Sequence, residues 1–93
     1  MITLEQRVRT HPDVVDTELE GQETVLLHLQ TKLYYSLNAT GTRIWQGVKE
    51  GLTLQLISQR LQKEFVVEAG GADRSVLALV DELCQQQLVQ VVD

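Results

Sequence analysis

The sequence predicts an α+β domain in which a three-stranded antiparallel sheet is followed by three helices, a winged-helix-like arrangement. Three observations carry that prediction. Residues 14–37 alternate with a period of two, residues 39–87 repeat at helical spacing, and short polar segments with a Gly or a capping residue separate the runs. Ninety-three residues, 43% hydrophobic and 23% charged, suffice for one domain (1–93) with one modest core, placed at about residues 12–90.

Val15, Thr17 and Leu19 alternate with Val14, Asp16 and Glu18, and Val25, Leu27 and Leu29 alternate with Leu26, His28 and Gln30. Each run therefore carries one apolar face and reads as a strand. Between them, Glu20-Gly21-Gln22-Glu23 is polar and holds the Gly that a tight hairpin needs. Leu33-Tyr34-Tyr35-Ser36-Leu37 alternates again, with the aromatic residues that strands favour, and Gln30-Thr31-Lys32 is its turn. Such a meander pairs the middle strand on both sides and leaves the first and third as edges. Asn38 then caps a helix over about 39–50, in which Ile44, Trp45 and Val48 are core positions before Gly51. Thr53 caps a second helix with Leu54, Ile57, Leu61 and Phe65 on one stripe. Ala69-Gly70-Gly71-Ala72 reads as a flexible link, and Asp73 as the cap of a third helix running to about Gln87. Residues 88–92 are too short a run to assign.

Eight Lys and Arg against thirteen Asp and Glu give a net charge of −5, and neither half of the chain is basic. Phosphate backbones and anionic lipid repel such a chain, so generic nucleic-acid and membrane-surface binding are disfavoured. The single Cys, Cys84, cannot close an intramolecular disulfide, which suits a reducing compartment. With no apolar run of membrane-spanning length and no basic start, the expected location is the cytoplasm.

Catalysis finds no support in the residues. His11 falls in a loop, His28 reads as a solvent-side strand residue, and Cys84 sits among Leu77, Val80 and Leu83 as a small hydrophobe. Phosphate loops, dinucleotide fingerprints and nucleophile elbows are all missing, so no catalytic residue, cofactor or metal is expected. A small sheet with three helices can also form a winged helix-turn-helix, which makes a DNA-binding regulator the alternative reading. Against it, residues 73–87 offer one Arg and three acids, where a reading helix presents cations to DNA.

The third helix is the informative element. With Val76 at zero and about 100° per residue, Leu79, Val80 and Leu83 fall within about 60° of it and suffice for the core. Leu77 and Cys84 lie beyond, at about 100° and 80°, on a line with Arg74 and Asp81. Either they widen the buried face, or they form one wall of a hydrophobic groove with charged edges. The open edge of strand 33–37 could supply the second wall and accept an added strand from another chain. The same edge could recruit a second copy, so the oligomeric state stays open.

Val25-Leu26-Leu27, Tyr34-Tyr35-Ser36-Leu37-Asn38-Ala39-Thr40-Gly41, Ile44-Trp45, Gly51-Leu52-Thr53 with Ile57 and Leu61, and Val80-Asp81-Glu82-Leu83 before Leu88 together resemble the PqqD-like family. Its members are the recognition elements of ribosomally made, modified peptides, and the resemblance spans about residues 12–90. It implies a non-catalytic adaptor that binds the leader segment of a precursor peptide as an added strand and presents it to a leader peptidase or modifying enzyme. The residues so implicated are Leu33, Tyr34, Tyr35, Ser36 and Leu37 on the strand and Arg74, Leu77, Val80, Asp81 and Cys84 on the helix. Pyrroloquinoline quinone proteins usually carry a proline-glutamate pair after the second strand. Gln30-Thr31-Lys32 stands there instead, and the standalone leader-binding proteins of lasso-peptide pathways resemble the chain better. Leu56, about 200° from Leu54, faces solvent and is a candidate partner contact.

Overall fold

A computed structural model describes residues 2–65 and 67–92. In chain order the elements are β1 (Arg7–Thr10), β2 (Val14–Leu19), β3 (Glu23–His28), β4 (Tyr34–Leu37), α1 (Ala39–Lys49), α2 (Leu54–Glu64), α3 (Ala69–Gln85) and β5 (Val89–Val92). The meander is present as the antiparallel sheet β2-β3-β4, followed by the three helices. Gly21 and Gln22 adopt positive φ (80° and 65°), which lets the β2–β3 hairpin turn tightly. Asn38 and Thr53 cap α1 and α2 as expected, their side chains accepting from the Gly41 and Leu56 N–H groups.

Two short strands lie outside the meander. β1 pairs antiparallel with β5, Arg7 opposite Val92 and Thr10 opposite Val89. This pairing brings Val8 and Val89 into the core, so the packed unit reaches back before residue 12. The third helix also starts earlier than expected. Ala69 to Ala72 form its first turn rather than a link, and Glu68 occupies the cap position without a side-chain bond. Asp73 instead accepts a hydrogen bond from the Ser58 hydroxyl, tying α3 to α2.

Leu26, Ile44, Trp45, Leu54, Ile57, Val76, Val80 and Leu83 centre the core, each large aliphatic contributing about 1.5–3 kcal/mol by leaving water. The buried side of β3 is Thr24, Leu26 and His28, opposite to the face that Val25, Leu27 and Leu29 suggest. Polar members of that side are accommodated by hydrogen bonds: the Thr24 and Thr42 hydroxyls meet at 2.9 Å, and His28 Nδ1 accepts from the Gln30 and Thr31 N–H groups. His28 is thus a buried residue at 1% exposure, not a solvent-side one. Trp45 is buried and its indole N–H donates to Asp16 at 2.8 Å, joining α1 to β2. The result is a flat molecule, 36 × 34 × 19 Å, with helices on one side of the meander.

Candidate functional site

β4 is the edge that positions the site. Its inner neighbour is β3, with Leu26 opposite Tyr35 and Thr24 opposite Leu37, and among the described residues no strand pairs with its other side. The His28 N–H donates to the Leu33 carbonyl at 3.1 Å. Antiparallel pairing alternates, so Leu33, Tyr35 and Leu37 direct their main-chain groups to β3. Tyr34 and Ser36 therefore direct theirs outward, where a further strand could take them up.

Side-chain directions alternate in the same way. Tyr35 and Leu37 turn toward the helices, whereas Tyr34 is 71% exposed. With Val15 and Leu29 it leaves large apolar side chains exposed on or beside the sheet.

At the end of β4, between the start of α1 and α3, lies a cleft of about 300 Å³ lined by Leu37, Asn38, Thr40, Gly41, Ile44, Ser75, Ala78, Leu79 and Glu82. A separate, smaller hollow lies at the start of β4, bordered by Leu33, Tyr34, Tyr35 and Gln86 over His28. The order of these contacts makes α3 antiparallel to β4: Leu33 lies toward Gln86, Tyr35 toward Glu82, and Leu37 toward Leu79. Burial and the facing Glu82 carboxylate push the Tyr35 phenol up to about 12. That phenol stays neutral over the ordinary pH range, facing the carboxylate. An apolar floor with backbone donors and acceptors along one rim can hold an extended peptide.

The structure gathers Tyr35 and Leu37 with α3, but on a different flank of that helix from the one the apolar pattern singles out. Relative to Val76, the flank lining the cleft carries Leu79, Ser75, Glu82 and Ala78 at about −60° to −160°, while Leu77 and Cys84 lie at about +100° and +80°. Leu77 and Asp81 border an open hollow with Ile2, separated from the cleft by Ala78. Cys84 is half-buried, its thiol pushed up by burial and by Asp81. Val80 is wholly buried in the core. Arg74 is exposed, its guanidinium over Gly70. Ser75, Ala78 and Glu82 escape a search for apolar stripes because small and charged residues read as a solvated face. Their shared signal with Leu79 is the i, i+3, i+4, i+7 spacing that puts them on one side of the helix, with Ser75 and Ala78 small enough to leave room for another chain.

The family model for coenzyme PQQ synthesis protein D (PqqD) matches residues 23–89. The chain belongs to the PqqD family. No curated protein matches the chain. Among solved structures, this PqqD-family chain is similar to TbiB1 in complex with the TbiA(beta) leader peptide. The two are 31% identical, with a TM-score of 0.82 over 87% of this chain and 93% of that one. It is also similar to a lasso peptide synthetase B1 complexed with the leader peptide, 26% identical, TM-score 0.80, over 94% and 99% of the two chains.

Proposed function

We propose that this chain is a non-catalytic adaptor of the cytoplasm that captures the leader segment of a ribosomally made precursor peptide. The leader adds a strand to the outer edge of β4, with alternate side chains turned into the cleft against α3. The observation that carries this reading is the open β4 edge beside a cleft with an apolar floor, and the likeness to two leader-peptide complexes supports it. Contacts are assigned to Leu33, Tyr34, Tyr35, Ser36 and Leu37 along the strand and to Ser75, Ala78, Leu79 and Glu82 along the helix. Leu77 and Asp81 form an outer rim beyond Ala78, within reach of a long side chain.

Capture of the leader leaves the outer face of the sheet free. A leader peptidase or modifying enzyme can then engage the adaptor while the leader is held, which is how presentation works in this reading. Lasso-peptide production is the pathway that suits it, given the two neighbours. No DNA-binding role is proposed, because the exposed side of α3 is acidic.

Calorimetric titration with a synthetic leader of the precursor encoded beside this chain's gene tests the proposal. Binding held by main-chain bonds and apolar contacts should change little between about 50 and 200 mM salt, whereas binding to duplex DNA would fall by orders of magnitude. Absence of leader binding, or tight salt-sensitive binding to DNA, would overturn it.

A further inference from the structure

The cleft has a charge as well as a shape. Glu82 is the single ionisable side chain among the described residues that line the larger cleft. Glu82 is exposed, and among the described residues it takes part in no ion pair. Its neighbour Tyr35 is neutral and leaves the carboxylate's charge in place. Asp81 adjoins it in sequence, and the chain as a whole is negative at −5. The floor beyond it, formed by Leu37, Ile44, Ala78 and Leu79, is apolar.

Strand geometry turns this distribution into a pattern for the ligand. Inward-facing residues of an added strand recur about every 6.8 Å, and Ser75 to Glu82 spans about 10.5 Å along α3. Two successive inward residues of the leader therefore cover the wall. One lies over Leu37, Ala78 and Leu79; the other, two residues away, lies beside Tyr35 and Glu82.

We infer that Glu82 is a specificity-determining residue, selecting leaders that place a hydrogen-bond donor, Lys or Arg in its strongest form, two residues from an apolar anchor and excluding leaders with an acid there. The inference rests on the strand-addition reading above and names the leader chemistry that reading takes. A carboxylate on the leader would meet Glu82 without a compensating cation; an ammonium or guanidinium would gain a charge-assisted bond.

The experiment uses the full chain and the synthetic leader of the neighbouring precursor. Each residue of the segment that protects β4 on binding is replaced in turn by Lys and by Glu, and every peptide is titrated against wild type, Glu82→Gln and Glu82→Lys. On wild type, one position should prefer Lys over Glu by about tenfold. That preference should vanish with Glu82→Gln and reverse with Glu82→Lys, while the other positions keep theirs. A merely structural role for Glu82 would shift all peptides alike and reverse none. Binding of the parent leader with no position whose charge preference reverses overturns the inference alone. Failure of the parent leader to bind, or binding that leaves the β4 amides unprotected, overturns the strand-addition reading beneath it.

Discussion

Ser36→Pro should abolish most of the leader affinity while leaving the fold intact. The alternation set by the bond from His28 N–H to the Leu33 carbonyl points the Ser36 N–H away from β3, toward the open edge. Proline at an outward-facing edge position removes no bond of the existing sheet, and β4 already has the extended backbone that proline needs from its neighbour. It does remove one donor from the surface that the leader uses, and its ring fills the place of that bond. A leader carbonyl left unpaired at this position costs about 1–3 kcal/mol, which is roughly a 5- to 160-fold rise in Kd. Ser36→Ala, which keeps the N–H, should bind within about twofold of wild type. Tyr35→Pro is the reciprocal control, since it breaks a β3–β4 bond and should lower stability outright. Isothermal calorimetry gives the affinities and urea unfolding the stabilities. A folded Ser36→Pro variant that binds leader as wild type does would refute the reasoning.

Other consequences concern the scaffold and the Tyr35–Glu82 contact. A Cβ on Gly47 would stand 2.6 Å from Ile57 Cγ1, so Gly47→Ala should force α1 and α2 apart and lower urea stability by about 1–3 kcal/mol; an unchanged midpoint would mean the helices are not so closely apposed. The Asp16 carboxyl is held below its usual range, chiefly by the Lys49 hydrogen bond, with the Trp45 indole adding to it and burial opposing both. Its contribution is therefore full above the unfolded value near 4 and lost as pH falls through the lower folded value. Asp16→Asn should lose stability at pH 7 yet converge with wild type in strong acid, by urea titration at each pH. In Tyr34→Phe the sole remaining tyrosine is Tyr35, whose ultraviolet titration should have its midpoint at about 12 and move down on adding Glu82→Gln. Because this pKa is raised on folding, the stability it lends is complete below the unfolded value near 10 and disappears as pH rises through the folded one.

Local signals in the chain account for much of this fold. Asn38 and Thr53 lie next to the first residues of α1 and α2 because their side chains satisfy N–H groups that the helix leaves free. Gly21 marks the hairpin for a similarly local reason, its positive φ. What escaped depends on contacts distant in sequence. β1 and β5 are four residues each, and each becomes a strand through a partner about eighty residues away. The orientation of β3 is ambiguous because Val25-Leu26-Leu27 is apolar on both faces; Thr24 is buried against the Thr42 hydroxyl, and His28 is buried with Nδ1 bonded to the 30–31 turn and Nε2 without a partner among the described residues. At α3, a helical wheel gives the width of the apolar arc but not the flank that meets a strand. The open edge of β4 was legible, whereas the flank of α3 that lines the cleft, Ser75, Ala78, Leu79 and Glu82, was not. Likewise Ala69 to Ala72 look like a link by composition and become helical through the packing of Ala72 in the core.

Residue-resolved amide exchange, followed by NMR with and without the synthetic leader, tests the central claim most directly. In the free protein the Tyr35 and Leu37 amides should already be slow, since they bond to β3, while those of Tyr34 and Ser36 exchange fast. Leader binding should slow Tyr34 and Ser36 and leave the outer edge of β2 unchanged. New protection along β2, or binding that leaves Tyr34 and Ser36 fast, would contradict strand addition at β4.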